Sequence, residues 1–144
     1  MRDQRTLRDV LPGQWRVLAT TFPMWLSGRR LQPMFRYGLL HDDPLTLSDE
    51  VAYRTRDGRA KRIEGVDRFD PATGSFTWRG RGVLRVLSSR WRVEHVSDER
   101  DVVVLSFARS LVTPAGLDVI GRGEAPRPDG IPGELLPPGL RWLS

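Results

Sequence analysis

The chain has 144 residues, a formal net charge of +5 and no cysteine. This length is typical of one domain with a single core, and the lack of cysteine excludes disulfides and thiolate metal sites. Its 14 glycines and 11 prolines favour a fold with many turns over a bundle of long helices.

The distribution of charge and hydropathy bears on partners and location. Every basic residue except Lys61 is an arginine, and the arginines are scattered along the chain, which argues against nucleic-acid binding. No apolar run approaches the roughly 20 residues of a membrane span. The first ten residues, MRDQRTLRDV, are charged and unlike a signal peptide, so we expect a cytoplasmic protein.

The N-terminal third begins with a charged lead-in, residues 1–10, for which we expect one or two helical turns. A run of alternating polarity follows from Gly13 to Thr21 and predicts a strand. Its predicted apolar face consists of Trp15, Val17 and Ala19. The segment FPMWLSGRR, residues 22–30, then interrupts the alternation as a loop or a single helical turn.

Further short runs of alternating polarity follow at a spacing of about 8 to 12 residues, which is typical of all-β folds. The predicted strands are Met34–Leu40, Glu50–Arg56, Ala60–Val66, Ser75–Arg79, Val83–Ser88, Trp91–Val96, Val102–Phe107 and Leu117–Arg122. Asp57-Gly58 and the segment DPATG at 70–74 carry turn residues between strands. In the strand from Trp91 to Val96, we expect Trp91, Val93 and His95 to share one face.

Eight or nine short strands with no long helix between them predict an all-β fold. Because the connections are short, strands that follow one another should pair, as in a single antiparallel up-and-down barrel. We expect the barrel to span residues 11–123. Residues 124–144, rich in proline and glycine, are expected to form an irregular tail, with Trp142 or Leu143 packed against the barrel.

The sequence resembles the lipocalin-like, or calycin, barrels. The resemblance rests on GQW at 13–15, the loop-helix after the first strand, the meander of strands and an arginine that ends the last strand in GLDVIGR. It implies that Trp15 seals the closed end of the barrel and that Arg122 lies across its indole, a cation–π arrangement. Gly13 would let the chain turn tightly into the first strand.

With the apolar faces turned inward, the barrel would enclose an aromatic cavity with a few polar groups. Such a cavity suits a hydrophobic or conjugated molecule with a polar end. The predicted ligand-binding residues, with Trp25 at the mouth, are Trp25, Phe35, Tyr37, Tyr53, Phe76, Trp78, Trp91 and His95. In the alternative interpretation, these aromatic side chains simply fill the barrel.

Three of these residues are also candidates for catalysis. His95 could serve as a general acid or base, and Tyr37 and Tyr53 could donate hydrogen bonds to a carbonyl. The alternative for each is a structural role. The carboxylates of EGVDRFD at 64–70 are not favoured as catalysts, because Asp67 and Asp70 are expected to bracket a turn.

The sequence contains no H-E-x-x-H, G-x-S-x-G or phosphate-loop motif. We therefore expect no metal and no cofactor. Two hypotheses remain: a protein that binds a small hydrophobic molecule, and a cofactor-free cyclase or isomerase of an intracellular biosynthetic pathway. The enzyme would act by folding its substrate within the same cavity. The sequence carries no signal for an oligomeric state or for the identity of the ligand.

Overall fold

A computed structural model describes residues 3–111, 113–123 and 130–143. The strands are β1 Gly13–Thr20, β2 Arg30–Asp42, β3 Leu45–Thr55, β4 Ala60–Asp70, β5 Ser75–Gly80, β6 Ser88–Val96, β7 Val102–Phe107, β8 Gly116–Gly121 and β9 Arg141–Trp142. The α-helices are α1 Gln4–Val10 and α2 Pro23–Leu26, and short 3₁₀ helices span Gly82–Val86 and Gly133–Leu135.

Strands β1 to β8 form a closed antiparallel barrel, which confirms the predicted fold class. Strands that follow one another are neighbours in the sheet, and β1 closes the barrel by pairing with both β8 and β2. Strand β2 pairs with β1 only as far as Arg16. Further along β1, the short strand β9 pairs with it instead, with Trp142 opposite Ala19. The barrel therefore leaves no long strand edge of β1 unpaired.

Two of the predicted turns lie where the sequence places them. Gly58 has a φ of +86° and donates its N–H to the Thr55 carbonyl at 3.0 Å. Gly74 has a φ of +70° and donates to the Asp70 carbonyl at 2.8 Å. Both turns need a positive φ, which glycine adopts without the steric cost that a Cβ imposes.

The predicted strand Val83–Ser88 is wrong, because a 3₁₀ helix occupies Gly82–Val86. Strands β5 and β6 already pair through Arg79 and Ser88, so the chain between them has to turn back on itself. Val83 is 92% exposed and Val86 80% exposed. The apolar residues in this segment therefore do not mark a buried face.

The predicted face of Trp91, Val93 and His95 is also wrong beyond Val93. The ladder between β6 and β7 is irregular between Val93 and His95, and His95 lies opposite Val104. Val104 belongs to an apolar cluster on the outer wall of the barrel. Because one extra residue reverses the alternation of a strand, His95 faces outward.

A similar irregularity changes the predicted face of β1. The register between β1 and β8 shifts between Val17 and Ala19. Val17 packs in the interior of the barrel, whereas Ala19 packs in the outer cluster. The alternation therefore predicts the inward face only as far as Val17.

The apolar core has an inner and an outer part. The inner part includes α1, whose Leu7 and Val10 are buried against the end of the barrel that contains Trp15. The outer cluster consists of Ala19, Val102, Val104 and Val119, and it packs against Ile131, Leu136 and Leu140 of the tail. The described part of the tail thus covers an apolar patch that the outer wall would otherwise expose.

Candidate functional site

The end of the barrel that contains Trp15, hereafter the closed end, is tightly packed. Trp15 is completely buried, and its indole N–H donates to the Leu11 carbonyl at 2.9 Å. The guanidinium carbon of Arg122 lies 4.4 Å from the centre of the indole, and Arg122 Nε donates to the Arg100 carbonyl at 3.1 Å. Gly13, with a φ of +129°, brings the chain past this guanidinium.

The opposite end, hereafter the mouth, contains a cavity of about 460 Å³. Helix α2, the 3₁₀ helix at Gly82–Val86 and Thr113 belong to connections that lie at this end, and each contributes to the lining. The aromatic residues that line the cavity are Phe22, Trp25, Phe35, Tyr37, Trp78, Trp91 and Phe107. The cavity is therefore mainly apolar and aromatic, as ligand pockets commonly are.

Stacked aromatic rings form the inner limit of the cavity. The rings of Tyr37 and Trp91 stack at a centroid distance of 5.6 Å, and Trp91 stacks on Phe76 at 4.4 Å. Phe69 packs against Phe76 on the next strand, at 5.0 Å. Such contacts fix the orientation of the rings, so the cavity has a defined inner wall.

The structure brings most of the predicted ligand-binding residues to the cavity. Those that line it are Trp25, Phe35, Tyr37, Trp78 and Trp91. Phe76 lies behind Trp91, and Tyr53 packs edge-on against Trp25 at 5.9 Å. His95, on the outer face, is not part of the lining.

The three residues suggested for catalysis are not brought together. His95 faces away from the barrel interior, as its pairing with Val104 shows. Tyr53 lies under the Arg30 guanidinium, which is 4.9 Å from the centre of its ring. Tyr37 does line the cavity, and burial together with the nearby carboxylates raises the pKa of its hydroxyl well above the usual range. Its hydroxyl is therefore a hydrogen-bond donor and not a base.

Sequence analysis missed three buried carboxyl groups in the barrel. Asp49, Asp67 and Asp118 are 7%, 0% and 1% exposed. Asp67 lies within β4 and not at a turn, so the expected turn role of this residue is wrong. A signal exists for Asp49, because it continues the inward positions of Leu45 and Leu47 along β3.

Asp49 and Asp67 interact directly. Burial raises the pKa of Asp67 well above its usual range, and both the charge of Asp49 and a hydrogen bond between the two carboxyls raise it further. The Trp91 indole N–H donates to Asp67 Oδ1 at 2.9 Å. Burial also raises the pKa of Asp49. The pair therefore shares a proton that resides on Asp67.

The third carboxyl, Asp118, lies on β8 and lines the cavity together with Asp49. Burial raises the pKa of Asp118 to about 7, and a hydrogen bond with the Thr20 side chain partly offsets this increase. Asp118 Oδ1 and Trp25 Nε1 are buried and have no hydrogen-bond partner among the described residues, and Asp49 Oδ1 has none apart from the Asp67 carboxyl. A cavity whose wall contains an unpaired acceptor and an unpaired donor is suited to a ligand with a polar group.

Within residues 3–111, 113–123 and 130–143, no group of three or more His, Cys, Asp or Glu side chains lies close enough together to hold a metal ion. No helix in these ranges is long and apolar enough to cross a membrane.

A closed eight-stranded meander barrel, with a tryptophan and an arginine packed at one end and an apolar cavity at the other, is the lipocalin fold. Lobster apocrustacyanin A1 aligns with a TM-score of 0.61 at 12% identity, over 88% of this chain and 72% of that chain. The siderocalin Ex-FABP aligns with a TM-score of 0.60 at 16% identity, over 82% and 77%.

The bovine lipocalin allergen Bos d 2 covers more of both chains. It aligns with a TM-score of 0.59 at 14% identity, over 93% of this chain and 92% of that chain. No protein-family model and no curated protein matches the sequence. At these identities, the similarity establishes the fold, and function has to be argued from the site.

Proposed function

We propose that this protein binds a small, mainly hydrophobic molecule in the cavity at the mouth of the barrel. The observation that supports the proposal best is the cavity of about 460 Å³ lined by aromatic side chains. Cavities of about 300 to 1,000 Å³ with apolar walls and a few polar groups are typical ligand sites.

The contrast between the two ends of the barrel supports this proposal. At the closed end, the interior is filled by buried side chains that include Trp15, Leu45 and Ile120. At the mouth, Trp25 and Trp91 border unfilled volume. The alternative that aromatic residues only fill the barrel fits the closed half, whereas the half towards the mouth has room for a ligand.

Similarity of fold gives weaker support. The siderocalin Ex-FABP, which aligns over 82% of this chain, is described as functioning through dual ligand specificities. A shared fold does not imply a shared ligand. It means only that a barrel of this architecture can hold one.

The alternative, a cofactor-free cyclase or isomerase, would use the same cavity. The residues suggested for that chemistry are separated, with His95 on the outer wall and Tyr53 packed beneath Arg30. Tyr37 alone of the three lines the cavity. Binding without chemistry is therefore the function that the geometry supports better.

Tryptophan fluorescence tests the proposal, because Trp25, Trp78 and Trp91 line the cavity. Titration with decanol and with retinol should change the emission in a saturable manner with one site per chain. A variant that fills the cavity, Ser89→Phe, should lose this response. Its neighbour Ser88 is exposed, so Ser88→Phe is the matched control and should respond like the parent. No saturable response to either probe, or an unchanged response in Ser89→Phe, would refute the proposal.

A further inference from the structure

We propose that the cavity is built for an organic cation, a protonated amine on an apolar body, with the ammonium group held by Asp49 and Asp118. This inference rests on the proposed function, since it assumes that the cavity binds a ligand. It adds the chemical class of the ligand and the residues that select it.

The first argument is the state of the two carboxyl groups. Both line the cavity, at 7% and 1% exposure. Asp118 Oδ1 has no hydrogen-bond partner among the described residues, and Asp49 Oδ1 has none apart from the Asp67 carboxyl. A buried acceptor without a partner loses its hydration and gains nothing in return. An ammonium group offers three donors and a positive charge, so it supplies what an unpaired carboxylate oxygen lacks.

The second argument is the character of the surrounding wall. Trp25, Phe35 and Phe107 line the cavity beside the stacked rings of Tyr37 and Trp91. The faces of aromatic rings attract cations, and their area accommodates an apolar body. The same wall therefore suits both parts of an amphiphilic amine.

A competing arrangement is an anionic headgroup at Arg30, which also lines the cavity. The Arg30 guanidinium, however, already has an aromatic partner, since it lies 4.9 Å from the centre of the Tyr53 ring. Asp118 Oδ1, by contrast, has no hydrogen-bond partner in the described part of the chain. An anionic headgroup deep in the cavity would also face the carboxyls of Asp49 and Asp118. The unpaired oxygen thus favours a cation.

Binding of an amine involves a proton balance. Burial raises the pKa of Asp118 to about 7, so at pH 6 this carboxyl is mainly protonated in the empty cavity. When the ammonium group binds, it stabilises the carboxylate form, and the proton of the carboxyl passes to the solvent. No covalent bond forms or breaks. A neutral ligand of the same shape would release no proton.

The test compares three ligands that share an alkyl chain and differ in their headgroup: decylamine, decanol and decanoate. We expect the parent to bind decylamine at least about tenfold more tightly than decanol, as expected for a desolvated charge pair. Asp49→Asn and Asp118→Asn should each remove most of this preference while retaining decanol binding. Asp98→Asn, which removes an exposed carboxylate, is the charge-matched control and should keep the preference.

A second readout does not depend on the variants. Calorimetric titration of the parent at pH 6 in two buffers with different ionisation enthalpies should show proton release with decylamine and none with decanol. Equal affinities for the amine and the alcohol, no proton release, or tightest binding of decanoate would each overturn the inference. Binding of decanol without preference for the amine leaves the proposed function intact, whereas failure of all three ligands refutes both.

Discussion

The guanidinium carbon of Arg122 lies 4.4 Å from the centre of the Trp15 indole, at the closed end of the barrel. Trp15 belongs to β1, and Arg122 directly follows β8, so the contact joins the two strands that close the barrel. Trp15 itself is completely buried. The pair therefore shields the interior from solvent without burying an unpaired charge.

Replacing Trp15 should be costly for this reason. We expect Trp15→Ala to lower the free energy of unfolding by about 3–5 kcal/mol, the usual range for truncating a buried large aromatic side chain. Arg122→Ala should cost about 1 kcal/mol through loss of the cation–π contact and its packing. Urea denaturation measures both. Arg16→Ala, an exposed arginine on the same strand, is the control, and a loss below about 1 kcal/mol for Trp15→Ala would contradict this role.

A second prediction concerns His95, which sequence analysis placed inside the barrel. Because it faces the outer wall, His95→Ala should leave the affinity for decanol within about twofold of the parent. Trp78→Ala removes part of the cavity wall and should weaken binding by about tenfold. Fluorescence or calorimetric titration with decanol measures the affinity of both variants. A large loss in His95→Ala would mean that the face assignment is wrong.

Local backbone irregularities limited what the sequence could predict. Alternating polarity predicted the meander and its closure into a barrel, and the GQW motif with Arg122 predicted the lipocalin-like fold. The alternation failed at His95 and at Ala19, where the ladders shift register. Such a shift depends on how a strand fits its neighbours in the barrel, so a single sequence carries little trace of it.

The carboxyl cluster shows a different limit. Asp49 lies at an inward position of β3, and the alternation of Leu45, Leu47 and Asp49 that places it there can be seen in the sequence. Its proximity to Asp67 depends on the register between β3 and β4, and Asp118 comes from β8 across the barrel. An isolated aspartate at an inward position can be recognised from the sequence, but a group of them around one cavity requires the fold.

A third prediction concerns Gly65, which lies opposite Asp49 in the ladder between β3 and β4. A Cβ at this position would contact the Trp78 indole and would lie 2.7 Å from the Arg79 carbonyl oxygen. We expect Gly65→Ala to destabilise the fold by about 1–3 kcal/mol, because neither neighbour can move freely. It should also shift the emission of Trp78. Gly58→Ala offers a comparison, since its cost arises from a positive φ and not from a clash.

A fourth prediction follows from the raised pKa of Asp118. The pKa in the folded chain is about 7, compared with 3.8 for an unperturbed aspartate, so the folded state holds this proton more tightly than the unfolded state. The resulting stabilisation is fully present below pH 3.8 and is lost as the pH rises through 7. Between pH 5 and pH 8, the parent should lose about 2–3 kcal/mol of stability through this group.

The Asp118→Asn variant isolates this effect, since asparagine resembles the neutral carboxyl in shape. Urea denaturation should find the variant close to the parent at pH 5 and more stable than the parent at pH 8. Burial raises the pKa of Asp49 and Asp67 in the same direction, so the variant should retain part of the pH dependence. A parent that loses no more stability from pH 5 to pH 8 than the variant does would contradict the assignment.

The last prediction concerns the pH dependence of amine binding, for which the surroundings of the carboxyl group matter. Asp118 receives a hydrogen bond from Thr20 and shares the cavity with Asp49 and Arg30. Both Asp49 and Asp118 also act on the Tyr37 hydroxyl, which keeps its proton.

Because burial raises the pKa of Asp118 to about 7, the ionisation of this group changes near neutral pH, where decylamine remains protonated. The affinity for decylamine should rise by up to about tenfold per pH unit below 7 and level off above it, because the proton must leave before the ion pair forms. Decanol binding should stay constant over the same range. In Asp118→Asn, the rise for decylamine should be lost or much reduced. An affinity for decylamine that falls as the pH increases from 5.5 to 8 would mean that the amine does not bind beside this carboxylate.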